Sequence, residues 1–238
     1  MGAYAQEVIK VYSEVIGLEA AVEFHFVDDI ESAWWDYIDE PIFEDLSKYD
    51  GYCVADKGNF YHLFIRNDCL DLGATILHEY VHAVDFERFR IEFNNGDNVK
   101  LHKQYPSLSI FTEFNAYMYS FAVSIYIKEE NWSEHFVEQK LKIIERLKQL
   151  ENDITTDYKP YFYELVRLLA EIRVWQMRGF DVGDILENEF APLYKVLVKL
   201  TECWSEENFG LLQSEVNKIK EFLDEKFDNL LSTFRNKK

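Results

Sequence analysis

A chain of 238 residues with 48% hydrophobic and 16% aromatic side chains can bury one sizeable core or two small ones, which excludes general disorder. Its formal net charge of −19 excludes a broad nucleic-acid surface, which needs clustered Lys and Arg facing phosphates, and disfavours adsorption to anionic membranes. Nine Gly and four Pro favour long regular elements, while Cys53, Cys69 and Cys203 are too few and too widely spaced for a CxxC pair or a disulfide framework.

The cysteine usage points to a reducing compartment. No basic segment followed by an apolar run occurs within Met1–Lys10. No apolar stretch approaches the ~20 residues needed to span a bilayer. The expectation is a cytoplasmic protein with no nucleic-acid or membrane partner.

In chain order, Val8, Val11, Tyr12 and Val15 have helical spacing over about 4–16, with Gly17 as a C-cap. Ala21 to Val27 alternates apolar and polar residues like a strand. The acidic, aromatic stretch from Asp28 to Asp50 has no clear period. Residues 51–55 and 60–66, joined by Asp56-Lys57-Gly58-Asn59, read as a β-hairpin. A helix over about 70–89 follows, then turn chemistry at Asn94–Asn98. Helices are predicted at 110–128, 132–151, 158–178, 183–202 and 206–232. Asn131 with Glu134 resembles a capping box, and Gly179 a C-cap. The predicted class is α+β, with a mixed core over residues 1–130 and a helical region over 131–238.

The 70–89 helix contains His78-Glu79-Tyr80-Val81-His82. Histidines four apart project from one helix face, close enough for both imidazoles to bind one ion. At 100° per residue, His82 lies about 40° from His78, and Asp85 about 20° on the other side. Glu79 sits about 60° beyond His82, beside a metal rather than on it, where a general base for water belongs. Ile76, Leu77, Val81, Ala83, Val84 and Phe86 are apolar, and a polar stripe on a buried helix is costly without a partner such as a metal.

A hydrolytic zinc needs a third protein ligand and an open position. Asp85 shares the stripe but lies about 10 Å along the axis from His78, so it suits an orienting role better. Glu113 is the preferred third ligand. Its helix carries an apolar stripe of Phe111, Phe114, Met118, Phe121 and Ile125, and a second stripe of Glu113, Ala116, Ser120 and Ser124. One acid among small residues allows a close approach of the carboxylate.

HExxH followed by ExxA on a later helix resembles the gluzincin branch of zinc metallopeptidases. The hairpin before the motif helix is similar to the minimal zincin core of ImmA/IrrE-like peptidases, and His78 to Asp85 resembles the motif helix of lethal-factor-type toxin peptidases. The resemblance covers roughly residues 20–128. Tyr117 stands where an Asp often supports a ligand His, and Asp85 is the substitute. The resemblance implies a zincin-like core and a zinc-dependent endopeptidase acting on a protein or peptide substrate, with Glu79 taking a proton from water. It also implies an edge strand, Phe60–Arg66, that pairs with an extended substrate. Tyr105, Tyr117 and His102 are candidate donors to an oxyanion. The alternative is a zinc-binding regulatory or interaction module with little turnover.

His25, His62 and His135 read as separate structural histidines. Trp34 and Trp35 read as core, and Val137, Leu141, Ile144 and Leu147 as a helix-packing stripe.

Overall fold

The computed structural model describes the chain apart from residues 1, 17–18, 39–40, 43–44, 57–59, 94–105, 129–131, 153–157, 206–213, 220 and 222–238. Contacts divide it into two units, Met1–Val99 and Lys100–Lys238. The boundary expected near 129–132 lies within the second unit.

The first unit runs α1 (Gly2–Ile16), β1 (Val22–Val27), α2 (Ile30–Tyr37), a 3-10 turn (Leu46–Lys48), β2 (Gly51–Ala55), β3 (Tyr61–Arg66) and α3 (Leu72–Phe93). The expected first helix, strand, hairpin and motif helix are all present. The caps expected at Gly17 and Asn131 and the turn expected at 94–98 lie outside the described residues.

The stretch without a clear period holds α2. Its start is set by the Asp29 carboxylate, which accepts from the Ser32 amide at 2.6 Å. Eight residues are too few to display a 3.6-residue period, which is why the cap is its clearest signal. Trp34 is buried there, whereas Trp35 is 60% exposed, so only the first of the pair is core.

The sheet order is β1-β3-β2, with β1 parallel to β3 and β2 antiparallel to it. Phe60–Arg66 is therefore not an edge. β3 spends its hydrogen-bonding groups on two neighbours, which leaves none for an extended substrate. Helices cover both faces, so β3 is buried over five of its six residues. Ile65 packs with Ala5, Ile76, Phe24 and Phe26 on one side. On the other, Phe64 packs with Ile30, Trp34, Ile38 and Leu46. Each such side chain contributes about 1.5–3 kcal/mol on leaving water.

The second unit contains α4 (Pro106–Lys128), α5 (Trp132–Asn152), α6 (Tyr158–Met177), a 3-10 turn (Gly183–Leu186) and α7 (Ala191–Ser205), with residues 214–219 also helical. α4 packs chiefly on α6. Gly179 closes α6 at φ +85°, with the Phe180 amide donating to the Trp175 carbonyl. The single helix expected over 183–202 is instead a 3-10 turn and α7. Asn188 accepts from the Phe190 amide at the break, and Pro192 is tolerated because it falls in the first turn of α7.

On α5 Leu147 of the expected stripe is buried, but the rest of the buried set differs from it, with Ile144 only half-buried. Phe136, Ile143, Leu147 and Leu150 are buried, while Val137 and Leu141 are exposed. Phe136 packs on Trp175, which fixes that rotation. The helix expected over 206–232 falls largely outside the described residues. Among the described residues, no helix is long and apolar enough to cross a membrane.

Candidate metal centre

α3 begins where Asp71 accepts from the Ala74 amide at 3.2 Å, and Thr75 donates its hydroxyl to the Asp71 carbonyl at 2.9 Å. Beyond this cap, Ile76, Leu77, Tyr80, Val81, Ala83 and Val84 are all buried, so apolar contact surrounds most of the helix. Tyr80, inside the motif, is also a strut. It meets Tyr12 edge-on at 5.7 Å, its hydroxyl lies 3.3 Å from Ser13 Oγ, and it accepts from the Ala20 amide at 3.4 Å. Ser13 already donates to the Ile9 carbonyl, so Tyr80 is the donor in their bond. α1 thereby holds the motif helix at its middle turn.

His82 is buried and His78 half-buried. Their Nε2 atoms face each other at 3.1 Å, with the ring planes 84° apart. Two imidazoles sharing a tetrahedral zinc at about 2.0–2.1 Å place their nitrogens roughly 3.3 Å apart, so the pair fits such an ion with little movement. His82 is kept in place by stacking on Phe86 at 5.7 Å. As donors, two imidazole nitrogens suit zinc among the common ions.

Glu79 is only 7% exposed. Its side chain lies against the start of β2, where a Cβ on Gly51 would come within 2.7 Å of Glu79 Cγ and 2.8 Å of Oε1. The absence of a side chain at Gly51 makes room for the carboxylate. Cys53, two residues along β2, has its thiol pushed up by burial and by the Glu79 charge.

Asp85 is completely buried on α3, one turn past His82. At the helix's next turn Glu87 accepts two bonds from Arg90, at 2.8 and 2.7 Å, and one from Tyr61 at 3.2 Å. The Arg90 hydrogen bonds hold the Glu87 carboxyl below its ordinary range, and Tyr61 is pushed up by burial.

In the second unit, Glu113 is half-buried on α4, with Ala116 and Ser120 of its stripe buried. Tyr117 stacks on Phe121 at 6.0 Å. Tyr105 and His102 lie outside the described residues.

One grouping is not visible in the sequence. His25 and His62, read as separate, meet at 2.9 Å between Nε2 and Nδ1, with Glu23 beside them. Burial lowers the pKa of His25, against the opposing charge of Glu23. Strand alternation puts Glu23 and His25 on one face, but only the register that sets Glu23 opposite His62 brings in the third residue.

No family model matches the chain, and no curated protein or solved structure matches it.

Proposed function

We propose that the protein is a zinc-dependent endopeptidase with a zincin-like core, hydrolysing a peptide bond of a protein substrate. The observation that carries this is the HExxH turn itself. Two imidazole nitrogens converge at 3.1 Å on one face of α3, and a buried carboxylate sits one residue along, in a space that Gly51 leaves open. His78 and His82 are the helix's two ligands, and Glu113 is the third by its sequence pattern. A zinc ion held there supplies Lewis acidity toward a substrate carbonyl and lowers the pKa of a water molecule.

Glu79 takes the proton from the attacking water at a carboxylate oxygen and delivers it to the leaving amine. Its burial limits competition from bulk water and fixes its orientation. Asp85 has the role of orienting the ligand face of α3, and Tyr117 and Tyr105 remain the candidate donors to the oxyanion. Since β3 is central, an extended substrate belongs on an edge strand. Among the described residues β2 pairs only with β3, and it starts beside Glu79, so its outer edge is the proposed docking strand.

The test uses the full chain. Protein purified without chelator is expected to hold zinc and to generate new N-termini in a complex peptide library. Glu79→Gln is expected to keep the fold and the zinc and to generate none. Peptidase activity in Glu79→Gln equal to that of the unaltered chain would refute the assignment.

A further inference from the structure

On the other face of the sheet from α3 lies a second group of metal-binding side chains. Glu23 and His25 point from β1 toward α2, and His62 does so from the central strand. His25 and His62 are 6% and 7% exposed. The ligand atoms of Glu23, His25 and His62 all lie within 4.8 Å of one another. An ion at the centre of such a triangle sits within about 2.8 Å of every donor, and small rotations bring that to the 2.0–2.2 Å of zinc ligation. Glu23 is exposed, so its side chain is free to make that adjustment.

A second feature points the same way. His62 turns Nδ1 toward His25, and its Nε2 lies 3.6 Å from Asp56 Oδ2. Asp56 is itself anchored, accepting from the Phe60 amide at 2.9 Å. The negative charge of a carboxylate beside the remote nitrogen favours the tautomer with the proton there, which leaves the lone pair on the nitrogen facing the cluster, as behind many metal-bound histidines. His25 is fixed by rings on two sides, with Tyr37 at 3.8 Å and Phe64 at 5.0 Å. The two imidazoles are thus oriented before any ion arrives.

We infer that Glu23, His25 and His62 form a second divalent-metal site of the zinc class, distinct from the HExxH centre and independent of it, with Asp56 positioning His62. The ion closes a link between β1 and β3. One ligand reaches solvent, so the site exchanges metal with its surroundings and couples metal supply to the stability of the sheet.

The test is a Zn2+ titration of the full chain against a chromogenic chelator, in a His78→Ala, His82→Ala background that removes the first centre. One Zn2+ per chain is expected to remain. Adding His62→Gln is expected to abolish it, Glu23→Gln to weaken it at least about ten-fold, and Asp56→Asn to weaken it about 10–100-fold. Glu23 is exposed, so its variant reports on binding without loss of the fold, which circular dichroism checks. If the background variant does not fold, the chain with both histidines gives the same comparison, since Glu23→Gln should weaken the binding of one of two ions and His62→Gln should remove that ion. Binding that neither Glu23→Gln nor His62→Gln changes, or no binding in the folded background variant, means a His–His hydrogen bond only and overturns the inference.

Discussion

Gly51→Ala is a one-methyl perturbation aimed at Glu79 without touching it. The added Cβ would stand 2.7 Å from Glu79 Cγ, 2.8 Å from Glu79 Oε1 and 2.8 Å from Thr75 Cγ2. All three are closer than carbon and oxygen atoms tolerate. Thr75 is β-branched and bonded to the Asp71 carbonyl, so it yields little. Glu79 is buried, so moving its carboxylate disturbs its neighbours. Gly51 is not among the glycines at positive φ, so alanine meets no backbone penalty and the whole effect is steric. Overpacking of this kind costs about 1–3 kcal/mol. For a chain of this length that is about 2–4 °C of Tm per kcal/mol. Displacing the proton acceptor by about 1 Å should lower turnover on the order of 100-fold while zinc content is unchanged. Calorimetry and elemental analysis measure the stability and metal arms, and peptide hydrolysis the third. A Gly51→Ala protein with unchanged Tm would refute the reasoning, whatever its activity.

Glu113→Ala should lower zinc affinity more than Asp85→Ala, because losing a ligand outweighs losing a group that orients one, typically about 10–100-fold. Chelator competition ranks the two, and the reverse order replaces the gluzincin assignment with an aspartate-ligated site. Glu87 has a folded pKa below its unfolded value near 4.5, owing first to its Arg90 hydrogen bonds. Its contribution to stability is therefore complete above that value and lost as pH falls through the lower folded pKa. Glu87→Gln should flatten the acid limb of a Tm-against-pH curve below about pH 4.5 and leave its shape at neutral pH unchanged. An acid limb identical to that of the unaltered chain would exclude Glu87 as a source of it.

Much of this arrangement is local, and local features are legible in sequence. The motif helix declares itself through its apolar positions, and the β2–β3 hairpin through strands flanking a short turn. What escapes is whatever depends on a distant partner. β3 reads as an edge because nothing near it in sequence reveals β1, which pairs with it across the intervening helix. The same gap hides the meeting of His25 with His62, which are 37 residues apart. On α5, Val137 and Phe136 are equally good stripe positions by period, and only Trp175 of α6 decides between them. The angle of Glu79 on the helix follows from spacing, but its need for Gly51 is a contact between α3 and β2 that spacing cannot supply.

The central place of β3 also orders events in time. Its antiparallel partner β2 ends at Ala55, with five residues between it and Tyr61, whereas β1 ends at Val27, on the far side of α2. By loop-closure entropy, bringing β1 to β3 costs about 1.7 kcal/mol more than closing the hairpin. The hairpin and the early turns of α3 can therefore form as a nucleus, with β1 docking after the rate-limiting barrier. Trimming Phe24 to alanine should then chiefly accelerate unfolding, while trimming Leu63 should slow folding. Stopped-flow denaturant chevrons distinguish the two, and a slowed folding limb for Phe24→Ala would place β1 inside the nucleus. A late-docking strand is also the first to leave, so the sheet opens from β1 while the hairpin beside Glu79 persists.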